Sequence, residues 1–112
     1  MDDFSVKHEL NGNVAVVTVS GRVDSFTASM LDTELAKIVR ENKQLVLDLK
    51  EVVYMSSAGV RAIVRTLQTA QKSNGGVSLA CVTESVETVL RTVGMLELLK
   101  VYPSVDEAVA SF

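Results

Sequence analysis

The sequence has few of the residues that build catalytic and metal sites. Its 112 residues include one histidine, one cysteine, one proline and no tryptophan. A zinc site uses about four ligands, chiefly Cys and His, so this chain lacks most of the usual donors. The single cysteine, Cys81, excludes an internal disulfide, and its apolar surroundings in the sequence predict a small core residue. The single histidine, His8, is expected on the exposed surface of an edge strand.

The chain also lacks strong charge of one sign and long apolar runs. Its net charge is −3 at pH 7 and its basic residues form no cluster, which argues against nucleic-acid binding. No apolar run approaches the roughly 20 residues that span a bilayer. Residues 1–3, Met-Asp-Asp, lack the basic segment and the apolar run of a signal peptide. We therefore expect a cytoplasmic protein that binds neither nucleic acid nor membrane.

Sequence motifs of common enzymes are absent as well. The chain has no Gly-x-x-x-x-Gly-Lys-Ser/Thr phosphate loop, no Gly-x-Gly-x-x-Gly and no Gly-x-Ser-x-Gly. Ser56 or Ser57 would need a base within hydrogen-bond reach to act as a nucleophile. The acids nearest to them in sequence, Asp48 and Glu51, lie on a predicted strand and at its exit. We therefore expect no catalytic residue and no enzymatic activity.

The composition is that of one folded domain. Apolar residues make up 47% of the chain, enough for a packed core that must be mainly aliphatic. The length suits one continuous core, so residues 1–112 are expected to form a single domain.

Hydrophobic periodicity predicts a hairpin followed by alternating helices and strands. Asn11, Gly12 and Asn13 separate the first two predicted strands, and Asn-Gly is a strong hairpin signal. The alternation that follows favours parallel strand pairing with helical crossovers. The predicted strands are 4–10, 14–20, 44–49, 77–82 and a short one within 98–102; the predicted helices are 28–41 (with caps offered by 25–27), 57–73, from 83 or 85 to 94, and one that opens at 104.

Ser56 and Ser57 lie between a buried strand and an amphipathic helix. One interpretation is structural, because serine commonly caps a helix and stabilises it by about 1 kcal/mol. The other is a phosphorylation switch, in which a phosphate adds a charge of about −1.5 to −2 at neutral pH. Backbone N–H groups and the helix dipole favour an anion at that position, so the fold would tolerate the phosphate. From the residues alone, capping is the commoner role.

Asp24 also allows two interpretations. It can cap the turn before the first helix, or it can be a surface carboxylate close to the serines. The second requires that the second and third strands end on the same side of the sheet.

Three segments together resemble the STAS domain of bacterial anti-sigma factor antagonists. They are Gly-Arg-Val-Asp at 21–24, Leu-Asp-Leu at 47–49 and Tyr-Met-Ser-Ser-Ala-Gly-Val at 54–60. The resemblance covers essentially the whole chain, including its length and element order. It implies an α/β fold with a mixed, mostly parallel four- to five-stranded sheet and about four helices, packed mainly on one face.

The resemblance also implies a mechanism. In this family the unphosphorylated protein binds an anti-sigma factor that is also a serine kinase. This binding releases the sigma factor. The kinase then uses ATP to phosphorylate a serine at the start of the second helix, and a metal-dependent serine phosphatase resets the cycle. Laid on the family motif Asp-Ser-Ser/Ala-Gly, Ser57 is the phosphoacceptor. Ser56 occupies the position of the Asp, without its charge, and is a second candidate acceptor.

The resemblance further implies that the protein needs no cofactor or metal of its own. A monomer is expected because the charged faces of the predicted helices leave no unpaired apolar stripe. Two alternatives stay open: the same switch acting on a non-sigma target in secretion, biofilm formation or other signalling, and a scaffold domain that is never phosphorylated. The implied partner-binding residues are Asp24, Ser56, Ser57, Ala58, Gly59 and Arg61.

Overall fold

The computed structural model describes residues 3–112, which form five strands and four helices. Their order is the β-β-α-β-α-β-α-β-α order predicted from the sequence. In chain order they are β1 Ser5–Asn11, β2 Val14–Val23, α1 Ser25–Glu41, β3 Gln44–Met55, α2 Ser57–Lys72, β4 Gly76–Ala80, α3 Glu84–Thr92, β5 Lys100–Tyr102 and α4 Val105–Ala110.

The five strands form one mixed sheet in the order β1-β2-β3-β4-β5. β1 and β2 are antiparallel, whereas the β2–β3, β3–β4 and β4–β5 pairs are parallel. Each parallel pair is joined through a helix, as parallel strands require a crossover. The predicted mostly parallel sheet is therefore confirmed.

The helices divide unequally between the two faces of the sheet. Alternate residues of β3, such as Leu45 and Leu47, are fully buried in the core that α1, α2 and α3 cover. Val46 lies on the opposite face, in a smaller cluster with Ala80 and with Ala108 of α4. Three helices on one face and one on the other agree with the expectation of helices packed mainly on one face.

The strands that lead to the two serines are longer than predicted. β3 continues to Met55 and β2 to Val23, where the sequence predicted ends at 49 and 20. The reason is two register shifts in the β2–β3 pair, between Thr18 and Ser20 and again between Gly21 and Arg22. At each shift β3 carries one residue more than β2, which breaks the alternation of apolar and polar residues that marks a strand.

Three local predictions are corrected. α1 begins at Ser25 instead of residue 28, and its N-cap is Asp24 instead of a residue of 25–27. β4 ends at Ala80, so Cys81 lies just after the strand, half-buried, with a positive φ of 57°. In the hairpin the central turn residues are Gly12 and Asn13, and only Gly12 has a positive φ, 64°.

Candidate functional site

The carboxyl ends of β2 and β3 lie side by side, and a helix begins directly after each. Val23 is the register partner of Met55. The N–H of Ser56 donates a hydrogen bond to the carbonyl oxygen of Val23 at 2.8 Å. Because the two strands are parallel, Asp24 at the start of α1 and the serines at the start of α2 belong to one edge of the sheet. The second and third strands therefore end on the same side of the sheet, as the interpretation of Asp24 as a surface carboxylate close to the serines requires.

Ser56 is the N-cap of α2. Its backbone is extended, with φ −83° and ψ 166°, and its Oγ accepts a hydrogen bond from the N–H of Gly59 at 3.3 Å. The side chain is partly buried. Of the two serines, Ser56 therefore carries the capping role.

Ser57 is the first residue of α2 and its side chain is exposed. Its hydroxyl makes no hydrogen bond to any other group of residues 3–112. The first N–H groups of a helix have no acceptor within the helix, and the helix dipole adds partial positive charge there. An anion attached to the Ser57 oxygen would thus lie in a favourable field while facing solvent.

Gly59 lets the first turn of α2 pack closely on the strand ends. A Cβ at this position would lie 2.5 Å from Sδ of Met55 and 2.8 Å from Cγ1 of Val23, both in the buried core. Real Cβ atoms essentially never make such contacts, so any larger residue must displace one of these side chains. Beside it, Ala58 is half-buried and contacts the same core.

Asp24 holds the start of α1 in a capping box with Thr27. The Asp24 carboxylate accepts from the N–H of Thr27 at 2.9 Å and from the N–H of Phe26 at 3.0 Å. The Thr27 hydroxyl in turn accepts from the N–H of Asp24 at 2.9 Å. The pKa of Asp24 is lowered, and the hydrogen bond from the Thr27 N–H is the largest cause. Desolvation raises the pKa in part. The Thr27 hydroxyl, the Phe26 N–H and Arg22 each lower it further. The carboxylate is therefore ionised at neutral pH. The capping interpretation of Asp24 is confirmed, and its role as a surface carboxylate near the serines stays a prediction.

Exposed apolar and aromatic side chains flank these polar groups, and the sequence analysis did not single them out. Phe26, in the first turn of α1, is 75% exposed, and Val53 and Tyr54, near the end of β3, are 50% and 38% exposed. The guanidinium of Arg22 lies 4.4 Å from the centre of the Tyr54 ring. The exposure of Phe26 could have been predicted from the sequence, because its position falls outside the apolar stripe that α1 directs to the core. We call Arg22, Phe26, Val53 and Tyr54 the aromatic rim.

Arg61 is the remaining candidate from the sequence. It is exposed on α2, four residues after Ser57, so it lies on the same side of the helix one turn further on. Within the described residues Arg61 makes no ion pair.

Residues 3–112 offer neither a metal site nor a membrane-spanning helix. No group of three or more His, Cys, Asp or Glu is positioned to hold a metal ion in this part of the chain. None of the described helices is both long enough and apolar enough to cross a membrane. His8 is exposed on β1, as expected.

Similar proteins were found both by sequence and by structure. The family model of the STAS domain matches residues 5–108. The chain is 30% identical over 98 residues to the putative anti-sigma factor antagonist BtrV of Bordetella bronchiseptica, across 87% of this chain and 84% of that protein. Its structure is similar to that of an anti-sigma factor antagonist from Mycobacterium paratuberculosis, with a TM-score of 0.89 and 25% identity over 98% of this chain and 94% of that one.

A third similar protein has been solved in a modified state. It is the Bacillus cell fate determinant SpoIIAA in its phosphorylated form, which matches with a TM-score of 0.71 and 13% identity, over 97% of this chain and 98% of that one. At this identity the match concerns the fold alone. The family model spans both strand ends, both helix starts and all five strands of the sheet described above, and the chain belongs to the STAS domain family.

Proposed function

We propose that this protein is an anti-sigma factor antagonist that works as a phosphorylation-controlled binding protein. In the unphosphorylated state it binds an anti-sigma factor that is also a serine kinase, and the sigma factor is released. Phosphorylation of Ser57 by that kinase ends the binding, and a metal-dependent serine phosphatase restores the binding form. The names of the related proteins from Bordetella and Mycobacterium support the first part of this proposal.

The observation that carries the proposal is that the hydroxyls of the two serines differ in their hydrogen bonds and exposure. Ser56 caps α2 through its hydroxyl, whereas the hydroxyl of Ser57 is exposed and forms no hydrogen bond within residues 3–112. A kinase can reach the Ser57 oxygen without removing any interaction that holds the helix. Modification of Ser56 would instead alter the oxygen that accepts from the N–H of Gly59 and caps the helix. This difference favours Ser57 as the acceptor, in agreement with the family register.

The surroundings of Ser57 explain why a phosphate would end binding without unfolding the protein. The start of α2 favours an anion, so the fold is expected to accept the group. The partner would meet a different surface, because a phosphate of about −1.5 to −2 charge would stand on the same sheet edge as ionised Asp24. A partner that covers the aromatic rim with apolar groups would then have to bury the phosphate charge, and one with acidic groups would be repelled by it. Both weaken binding.

The proposal is a binding function, and the chemical step belongs to the partner. The kinase supplies ATP, and the Ser57 oxygen takes up the γ-phosphoryl group as the bond to ADP breaks. This chain contributes the positioning of the hydroxyl at the start of α2, the N-cap of Ser56 that fixes the first turn, and the surrounding binding surface.

Mass spectrometry after incubation with ATP and the candidate kinase from the same genome tests the proposal. Wild type is compared with Ser57→Ala and with the matched variant Ser56→Ala. One added phosphate that disappears only in Ser57→Ala is the expected result. Loss only in Ser56→Ala would move the acceptor by one residue, and no phosphate with any such kinase would overturn the switch.

A binding measurement tests the second half of the cycle. Ser57→Ala is expected to bind the kinase and to stay bound in the presence of ATP, whereas Ser57→Asp is expected to bind weakly. Equal affinity of the two variants would contradict the switch, even if Ser57 were phosphorylated.

A further inference from the structure

β1 is a long strand with an open edge. It is first in the sheet order and, within residues 3–112, it pairs with β2 alone. It is seven residues long, whereas the strand at the other edge, β5, has three. An exposed edge presents a row of free N–H and C=O groups and is a template for pairing with another chain.

The hairpin geometry indicates which backbone groups face that edge. Asn11 and Val14 are paired across the two-residue loop, so they form the hydrogen-bonded pair that closes the turn. In an antiparallel ladder such pairs alternate with pairs that are not hydrogen-bonded. It follows that the peptide groups of Val6, His8 and Leu10 are directed away from β2, towards the open edge.

The side chains of β1 are complementary to themselves about the strand's midpoint, His8. In an antiparallel pair of two β1 strands centred on His8, Lys7 lies opposite Glu9 of the second copy, and Glu9 lies opposite its Lys7. All of these side chains are exposed. The same register places Val6 opposite Leu10, and it makes the three outward-facing residues of each strand meet as hydrogen-bonded pairs. Charge, apolar pairing and backbone direction therefore agree on one register.

Leu10 adds an apolar element to this match. It is 63% exposed, although it points to the same side of the sheet as Val6, which contacts the main core. Beside Val6 a groove of about 380 Å³ runs between β1 and α1, lined in part by Phe4 and Met30. In the register above, Leu10 of the second copy would lie next to Val6 at this groove.

In place of the monomer expected from the sequence, we propose that the protein forms a symmetric dimer through antiparallel pairing of β1 with β1 of a second copy. The occupant of the open edge is a second copy of this chain because the strand is complementary to itself in charge and apolar pattern. The contact uses the same patch on both subunits, as a two-fold interface does. It joins the two sheets into one continuous sheet and does not include the start of α2. Its small area predicts a weak, concentration-dependent dimer.

Charge reversal gives a sharp test by sedimentation equilibrium of the full chain. Lys7→Glu and Glu9→Lys each place like charges opposite one another at two symmetric positions, so each variant is expected to dimerise at least about tenfold more weakly than wild type. The double variant, with both charges exchanged, is expected to recover dimerisation. An equimolar mixture of the two single variants is expected to form a heterodimer.

Glu97→Lys is the matched control for Glu9→Lys, because it changes the net charge by the same amount and sign at an exposed position far along the chain from β1. It is expected to dimerise as wild type does. Far-UV circular dichroism of each variant checks that β1 still folds, and the double variant and the mixture test the register even if one single variant is unstable. A wild-type protein that stays monomeric up to about 1 mM would overturn the proposal. So would a dimer that the two single charge reversals leave unchanged.

Discussion

The N–H of Ser56 donates to the carbonyl oxygen of Val23 at 2.8 Å, and this hydrogen bond joins the start of α2 to the end of β2. The two residues are more than thirty positions apart in sequence, yet the bond continues the ladder of the parallel strand pair by one step. Both helix starts are thereby held at one edge of the sheet.

Substitution of Gly59 by alanine is expected to destabilise the protein by about 1–3 kcal/mol, the usual cost of overpacking a core. The new methyl group would overlap Met55 and Val23, and this cost exceeds the better helix propensity of alanine. Urea unfolding measures the effect. The matched control is Gly76→Ala, where the added Cβ meets only Phe112 at an ordinary 3.5 Å. Equal stability of the two variants would contradict the close packing of α2.

The two serines are expected to differ in their contribution to stability. Ser56→Ala removes the hydroxyl that caps α2 and is expected to cost about 1 kcal/mol. Ser57→Ala removes an exposed hydroxyl and is expected to change the free energy of unfolding by less than about 0.5 kcal/mol. Ser56→Asp keeps an N-cap acceptor and adds a negative charge at the helix start, so it is expected to be at least as stable as wild type. A larger loss in Ser57→Ala than in Ser56→Ala would reverse the assignment.

The contribution of the Asp24 charge to the free energy of unfolding is expected to decrease as the pH falls. The pKa of Asp24 is lowered in the folded protein, chiefly by the hydrogen bond from the Thr27 N–H. The contribution is therefore fully present above the unfolded pKa of about 3.9, and it is lost as the pH falls through the lower folded pKa. Asp24→Asn keeps a good N-cap but has no charge.

Urea unfolding of wild type and Asp24→Asn from about pH 6 to about pH 3 tests this expectation. The advantage of wild type should be constant at the upper end and should shrink at the acid end. Asp24→Ala, which has neither cap nor charge, should be less stable than Asp24→Asn throughout. An advantage of wild type that grows on acidification would show that the carboxylate is disfavoured by folding.

Phe26 is expected to matter for binding and not for folding. Because its ring is 75% exposed, Phe26→Ala should change the free energy of unfolding by less than about 0.5 kcal/mol. If the kinase covers the aromatic rim, loss of the highly exposed ring of Phe26 should weaken binding by about tenfold or more. Calorimetric titration with the kinase measures the effect, with Leu98→Ala as the control, since Leu98 is 49% exposed near β5. Similar affinities of the two variants would place the binding surface elsewhere.

The order of elements and the start of α2 at the two serines could be predicted from the sequence because their signals are local. Apolar periodicity marks α2, and a hydroxyl followed by an amphipathic stripe marks a helix start. The end of β3 could not be predicted in the same way. Lys50 and Glu51 interrupt its apolar run, and only pairing with β2 at a shifted register returns Val52 to the core.

Other features depend on contacts between distant segments. Nothing near Gly59 in sequence indicates that Val23 limits its size, and the stacking of Arg22 on Tyr54 exists only because β2 and β3 are neighbours. Cys81 was predicted within a strand because its neighbours are apolar. The chain instead turns there, and a weak hydrogen bond from its Sγ to the carbonyl oxygen of Pro103, at 3.5 Å, joins it to the segment after β5.

The extended ends of β2 and β3 also limit local opening of the starts of α1 and α2. Val23 and Met55 are 0% and 1% exposed, and each immediately precedes the N-cap of a helix. A site carried on a surface loop can open by local fluctuation, whereas the start of α2 is hydrogen-bonded through Ser56 to a buried strand end, so we expect it to open less readily. The amide proton of Ser56, which bonds to Val23, should therefore exchange with solvent slowly, whereas those of Ser57 and Ala58, which have no acceptor within residues 3–112, should exchange fast. Under the proposed switch, a protein that binds here would meet a surface whose charge changes much more than its shape.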